Sequence, residues 1–161
     1  MRIFLLCWML ILAPAACGAP AAGPPPPVSG AILPRDLAGC YALTTTKRLY
    51  FAPPQLRLDS TAAVDQMRGF VRDSAWALAR LDREGRPMVD EQQHPILYWT
   101  AAPADSILIV ISTGFSGSEL VVGAGTGDTL QGRATEFWDM GPSKNDAGAV
   151  TLVRIPCVTP G

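Results

Sequence analysis

Residues 107–111 read Ile-Leu-Ile-Val-Ile, with no polar position among them. A half-exposed strand alternates apolar and polar residues, so a run this uniform predicts a strand covered on both faces. Around it, short apolar runs alternate with turn residues. Residues 96–101 (ILYWTA) precede a turn at 102–105 (APAD), and residues 107–111 precede a turn at 114–117 (GFSG). Residues 120–122, a Gly-rich stretch at 123–128 (GAGTGD) and a long strand over 129–139 follow. Gly132 marks a bend or bulge in that last strand. Upstream, residues 55–59 alternate cleanly, with Leu56 and Leu58 on one face and Gln55, Arg57 and Asp59 on the other. Strands at 40–43, 76–81 (WALARL) and 149–157 complete the set. Eight strands with short connections predict an all-β antiparallel up-and-down meander, and eight strands can close into a barrel.

One stretch changes period. Ala63, Val64, Met67, Phe70 and Val71 recur at helical spacing, with Ser60 or Thr61 placed to cap. Residues 60–73 therefore predict one short amphipathic helix lying over the sheet. Gly69 weakens the helix, and a long irregular loop is the alternative.

The first residues carry an address. Arg2, an apolar run over 3–12 and small residues at 13–16 fit a secretory signal peptide, too short and too poorly flanked for a membrane span. Ala13-Pro14-Ala15 offers a cleavage site that would leave a soluble, periplasmic or secreted product. Leu12-Ala13-Pro14-Ala15-Ala16-Cys17 also resembles a bacterial lipoprotein lipobox, with Pro14 where that motif has Leu or a similar aliphatic. The resemblance implies lipidation of Cys17 and anchoring to a membrane of the cell envelope. Cysteine parity points the same way. Cys7 leaves with the leader, and a lipidated Cys17 leaves Cys40 and Cys157 to pair in an oxidising compartment. Without lipidation Cys17 is a free thiol in the tail. In a closed barrel the first and last strands are neighbours, which puts Cys40 and Cys157 within bridging distance. In an open meander they would sit at opposite edges. The division is therefore a signal peptide over 1–16, an Ala/Pro-rich spacer over 17–32 and a β-barrel domain over 33–161. Four consecutive prolines make the spacer semi-rigid.

Formal net charge is −1, with basic residues scattered rather than clustered, which argues against a nucleic-acid partner. Asp36-Leu37-Ala38-Gly39-Cys40-Tyr41 resembles the opening of lipocalin-type barrels, whose first strand carries Gly-x-Trp after a short 3₁₀ turn. Tyr41 stands in the Trp position, and Arg154 in the last strand matches the family's late arginine, which packs on that ring. The resemblance implies an eight-stranded cup and a small apolar ligand.

Chemistry-bearing residues are few. His94 is the only histidine, so neither a histidine-based catalytic triad nor a multi-histidine metal site can be assembled. The Gly-rich 123–128 stretch lacks the following helix and the Gly-Lys-Ser/Thr of a phosphate loop, and reads as a hairpin turn. The glycines of 114–118 do not flank the serine as a nucleophile elbow requires. Asp82, Glu84, Asp90 and Glu91 read as a solvated charged loop. Glu136 shares a face with Leu130, Ala134 and Trp138 by the two-residue period. It projects into the barrel in one register and to solvent in the other, and a buried carboxylate needs a partner. Tyr41, Trp76, Tyr98, Trp99 and Trp138 are the aromatic stock for a ligand cavity, or else they fill a solid core. The expectation is a non-catalytic, lipid-anchored barrel, without cofactor or metal, that binds a small apolar molecule or envelope lipid. The alternative is a structural or protein-interaction module with no ligand.

Overall fold

The computed structural model describes residues 34–65, 70–88, 96–124, 128–139 and 145–158. The leader, Cys17, the spacer, Asp90, Glu91 and His94 lie outside the described residues. A four-residue helix, α1 (Pro34–Leu37), precedes eight strands. They are β1 (Gly39–Thr45), β2 (Gln55–Asp65), β3 (Phe70–Leu81), β4 (Ile96–Ala102), β5 (Ser106–Ser112), β6 (Ser116–Ala124), β7 (Thr129–Trp138) and β8 (Asn145–Ile155). Each strand pairs antiparallel with the next, and β8 returns to pair with β1, Arg154 opposite Tyr41. The sheet is thus a closed up-and-down ring with no free edge strand. Residues 46–54, 82–88 and 113–115, with the end of β7 and the start of β8, lie at one end, called the loop end. Helix α1 and the β4–β5 turn lie at the other.

Alternation along each strand fills the ring. One contiguous apolar cluster takes side chains from all eight strands, among them Tyr41, Leu56, Leu78, Trp99, Ile109, Leu120, Leu130 and Leu152. Strand β5 is buried on both faces over most of its length, because Val110 is covered as well as Ile107, Ile109 and Ile111. The uniform 107–111 run foretold this.

The helix expected over 60–73 does not form; β2 continues through Asp65 and β3 begins at Phe70. The misleading period has a physical source. The β2–β3 ladder shifts register between Leu58 and Ala62 and again between Ala62 and Val64. The first shift leaves two extra residues on β2 and the second three on β3, so apolar positions fall at helix-like intervals along irregular strands. Val64 and Val71 pair across the ladder and are exposed, whereas a helix would have buried that stripe. The irregularity expected at Gly132 is also displaced: the β7–β8 register shift falls between Ala134 and Thr135. Gly132 serves close approach instead, since a Cβ there would collide with the Val121 carbonyl oxygen.

The β3–β4 seam is the thinnest part of the ring, with only Ala75, Trp76 and Ala77 laddered to Thr100, Trp99 and Tyr98. Trp76 and Trp99 bridge it, ring centroids 4.7 Å apart. The Trp99 indole N–H donates to the Asp59 carbonyl at 3.0 Å, which ties the seam to β2. Above the seam the chain folds back on β3, with Asp82 N–H donating to Arg86 O and Met88 N–H to Arg80 O, both at 2.9 Å.

Cys40 and Cys157 form a disulfide, with Cα atoms 5.2 Å apart. Cys40 opposes Ile155, so Cys157 lies just past the last ladder residue and pins the tail over β1. Val158 then rests against Gly85 in the β3–β4 turn. The bond closes a loop of 117 residues, for which chain entropy predicts about 4–5 kcal/mol of stabilisation.

Candidate functional site

At the α1 end, Gly39 takes a positive φ of 152°, and a Cβ there would lie 2.7 Å from Arg154 Nη1. That gap lets the Arg154 guanidinium cross the strand. It donates to the carbonyls of Ala38 and Asp36 at 2.9 Å and to the Tyr41 hydroxyl at 2.8 Å, and stands 5.1 Å above the Tyr41 ring. The Tyr41 hydroxyl donates onward to Leu37 O at 2.8 Å. Burial raises the Tyr41 pKa, the Arg154 charge opposes this, and Asp128 adds to it, so the phenol stays a donor well into alkaline pH. A cleft of about 220 Å³ sits here, lined by Asp36, Leu37, Tyr41, Asp128, Thr129, Leu130 and Arg154. With Arg154 committed to three acceptors, this end is a structural plug.

The loop end is built differently. Residues 46–54 fold over the mouth of the ring, with Leu49 buried and Phe51 and Ala52 packed against the core. On one side the segment is pinned to β8: Thr46 N–H donates to Ala149 O at 3.0 Å, and Ala149 N–H donates to Thr46 Oγ1 at 3.0 Å. The Asp146 carboxyl, held below the ordinary range first by the Gly148 N–H and then by Arg133, orders the same corner. On the other side Tyr50 N–H donates to Glu136 Oε1 at 2.7 Å. Glu136 is 6% exposed and opposes the fully buried Ser118, whose hydroxyl lies 3.5 Å from the same oxygen. The inward register of β7 therefore holds, and the carboxylate's partner is the loop backbone. Tyr50 meets Trp138 edge-on at 6.3 Å.

Beside this latch lies a cleft of about 410 Å³ lined by Leu43, Thr45, Arg48, Leu49, Ala52, Pro53, Pro54 and Arg83. Apolar side chains and polar groups share its walls, and its charged lining residues are both arginines. The neighbouring acids are engaged elsewhere. Asp82 accepts from the Glu84 and Arg86 N–H groups at 2.9 Å and from the Arg86 guanidinium at 2.8 Å, and these contacts lower its pKa. Glu84 pairs with Arg86 at 3.0 Å.

The six expected ligand-binding residues do not converge. Tyr41 belongs to the α1-end plug. Trp76 and Trp99 close the seam within the core. Tyr98 alternates with Trp99 and so lies on the outer face, with the Arg72 guanidinium 4.7 Å above its ring. Only Glu136 and Trp138 reach the loop end. Leu49, Tyr50, Ser118 and the two cleft arginines were missed. The apolar triplet Leu49-Tyr50-Phe51 after the polar Thr46-Lys47-Arg48 was the available signal; Tyr50 acts through its backbone N–H, which no residue type announces. Arg80, in line with Leu78 and opposite Leu56, also faces inward, a position that strand alternation could have flagged.

Among the described residues no group of His, Cys, Asp or Glu is placed to hold a metal ion, and no helix is long and apolar enough to cross a membrane. No family model, curated protein or solved structure matches this chain.

Proposed function

We propose that this chain is an exported, lipid-anchored envelope protein whose lipocalin-like barrel is a non-catalytic binding module. Its ligand lies under the β1–β2 segment at the loop end, not along the barrel axis. One observation carries this: side chains from all eight strands occupy the middle, while an open cleft of about 410 Å³, lined by apolar side chains together with Thr45, Arg48 and Arg83, lies at the mouth. Support for the family likeness is the Gly39–Tyr41–Arg154 arrangement at the other end. Support for export is the leader pattern together with a disulfide, which persists in oxidising compartments. Lipidation of Cys17 rests on the lipobox resemblance and on the pairing of the other two cysteines.

The test is expression of the full chain with its own leader in a Gram-negative host, followed by native mass spectrometry in mild detergent. A diacylglyceryl-sized mass lost in Cys17→Ser, plus a dissociable small molecule, is the expected result. An unmodified, empty protein would overturn both halves. A specific observation favours a second reading as an interaction module: Tyr50 and Phe115 are 73% and 68% exposed at the same end. The Tyr50 ring meets Trp138, and the Phe115 backbone is tied to the end of β7, Asp139 N–H donating to Phe115 O at 2.8 Å. An empty but anchored protein would shift the choice to that reading.

A further inference from the structure

We propose that the loop-end cleft is a strand-addition site, in which an extended acidic segment of a partner protein pairs with β1 at Leu43 and Thr45 and meets Arg48 and Arg83 with its carboxylates. This rests on the binding-module reading of the loop end and names a peptide as what that site takes.

No strand of the ring is an edge along its whole length, yet β1 outruns β2 at the mouth. The β1–β2 ladder stops at Ala42 and Gln55, whereas β1 stays paired with β8 as far as Thr45. Backbone groups of successive strand residues point alternately to the two neighbouring strands. Thr46 N–H donates to Ala149 O on β8, so the groups of Leu43 and Thr45 point to the β2 side. Leu43 N–H duly donates to Pro54 O at 2.9 Å. Pro54 has no N–H to return to the Leu43 carbonyl. The next pair in this register is Thr45 with Ala52, and among the described residues no backbone hydrogen bond joins them. The cleft is this gap in the ladder, since Leu43, Thr45, Ala52, Pro53 and Pro54 all line it. It presents to solvent one main-chain donor and two acceptors already set in strand geometry.

The charge at the gap has one sign. Arg48 comes from the β1–β2 segment and Arg83 from the β3–β4 turn, both exposed, and no carboxylate lines the cleft. The acids on either side of Arg83 in sequence are taken by Arg86, at 2.8 Å for Asp82 and 3.0 Å for Glu84. Asp146 is taken by Arg133 at 2.8 Å. The Gln55 side-chain amide donates to the Arg83 carbonyl at 2.9 Å, which steadies that turn beside β2.

A peptide added to a free strand edge gains affinity from main-chain hydrogen bonds and specificity from alternate side chains. Guanidinium groups pair with carboxylates through two parallel N–H donors. An extended acidic peptide therefore satisfies the donor, the acceptors and both arginines together. A small anion would use only the arginines, and an apolar molecule would leave every one of these groups to water.

The experiment uses the chain from position 17 onward carrying Cys17→Ser, exported behind a cleavable leader so that the disulfide forms without detergent. The probes are acetyl-Thr-Glu-Val-Glu-Val-Glu-Thr-amide, its counterpart with Gln for Glu, and two Glu peptides N-methylated on alternate residues, one for each edge. Calorimetry should show one-to-one binding of the Glu peptide, with the Gln peptide at least about tenfold weaker. One N-methylated peptide should lose binding and the other keep it. Hydrogen-exchange NMR should find the Thr45 amide unprotected in the protein alone and slowed about tenfold or more by the Glu peptide. R48Q/R83Q should weaken the Glu peptide by about tenfold, leave the Gln peptide unchanged and keep the wild-type unfolding midpoint. Equal binding of both N-methylated peptides, with no protection of Thr45, would overturn strand addition. Equal binding of the Glu and Gln peptides would overturn the acidic partner. Protection of Thr45 in the protein alone would mean that the chain itself or a second copy fills the edge, and would overturn the proposal. Binding of no peptide would do the same, while the mass-spectrometric test decides the broader reading separately.

Discussion

Arg154 spends one guanidinium on three acceptors, the carbonyls of Asp36 and Ala38 and the Tyr41 hydroxyl. Removing it leaves two carbonyls and a phenol without a donor at the point where α1 meets β1. Arg154→Ala should therefore lower the unfolding free energy by about 2–3 kcal/mol, measured by urea unfolding. Arg154→Lys should recover little, because an ammonium lacks the planar fork of donors with which the guanidinium reaches all three acceptors. A loss below about 0.5 kcal/mol would show that the plug is held by packing instead. This cluster was legible: Gly39, Tyr41 and a late arginine could be matched to a known pattern before any geometry. Glu136 was half legible. Its face followed from the two-residue period, but the direction of that face depended on strand register, which sequence alone does not set.

Among the elements, the β1–β2 segment is the one whose role changes most between sequence and structure. Its polar start reads as a loop, yet Leu49 inserts into the core and a backbone N–H latches onto a buried carboxylate. Glu136→Ala should free this latch, raising exchange of the Tyr50 amide by about tenfold or more, read by hydrogen-exchange NMR. Loss of a hydrogen bond to a charged group should also cost about 1.5–3 kcal/mol. Glu136→Gln keeps an acceptor oxygen and should hold most of the protection. Unchanged exchange in Glu136→Ala would mean that Leu49 and the Thr46–Ala149 bonds hold the segment unaided. The misread 60–73 region belongs to the same scale. Periodicity reports helix or strand only while the ladder is regular, and two register shifts between Leu58 and Val64 erase that signal.

For the whole molecule, closure is the central fact. The β1–β8 ladder and the Cys40–Cys157 bond both join the two ends of the described chain. Replacing both cysteines with alanine should cost about 2–5 kcal/mol in denaturant unfolding, with the tail over Gly85 released first. No measurable loss would show that the ladder alone carries closure. Strand content, strand order and the cysteine pairing were within reach of the sequence. Alternation, turn residues and parity are local or countable properties, and an up-and-down meander brings its first and last strands together once it closes. The tertiary structure alone decided that the interior is filled while clefts open at the ends. It also placed the aromatic residues in four separate places, the α1-end plug, the seam, the outer face and the loop end, and brought Arg48 and Arg83 to one cleft. Those outcomes depend on register, bulge position and loop path. Each is selected by many weak packing contacts between residues far apart in the chain, and no short window of sequence encodes them.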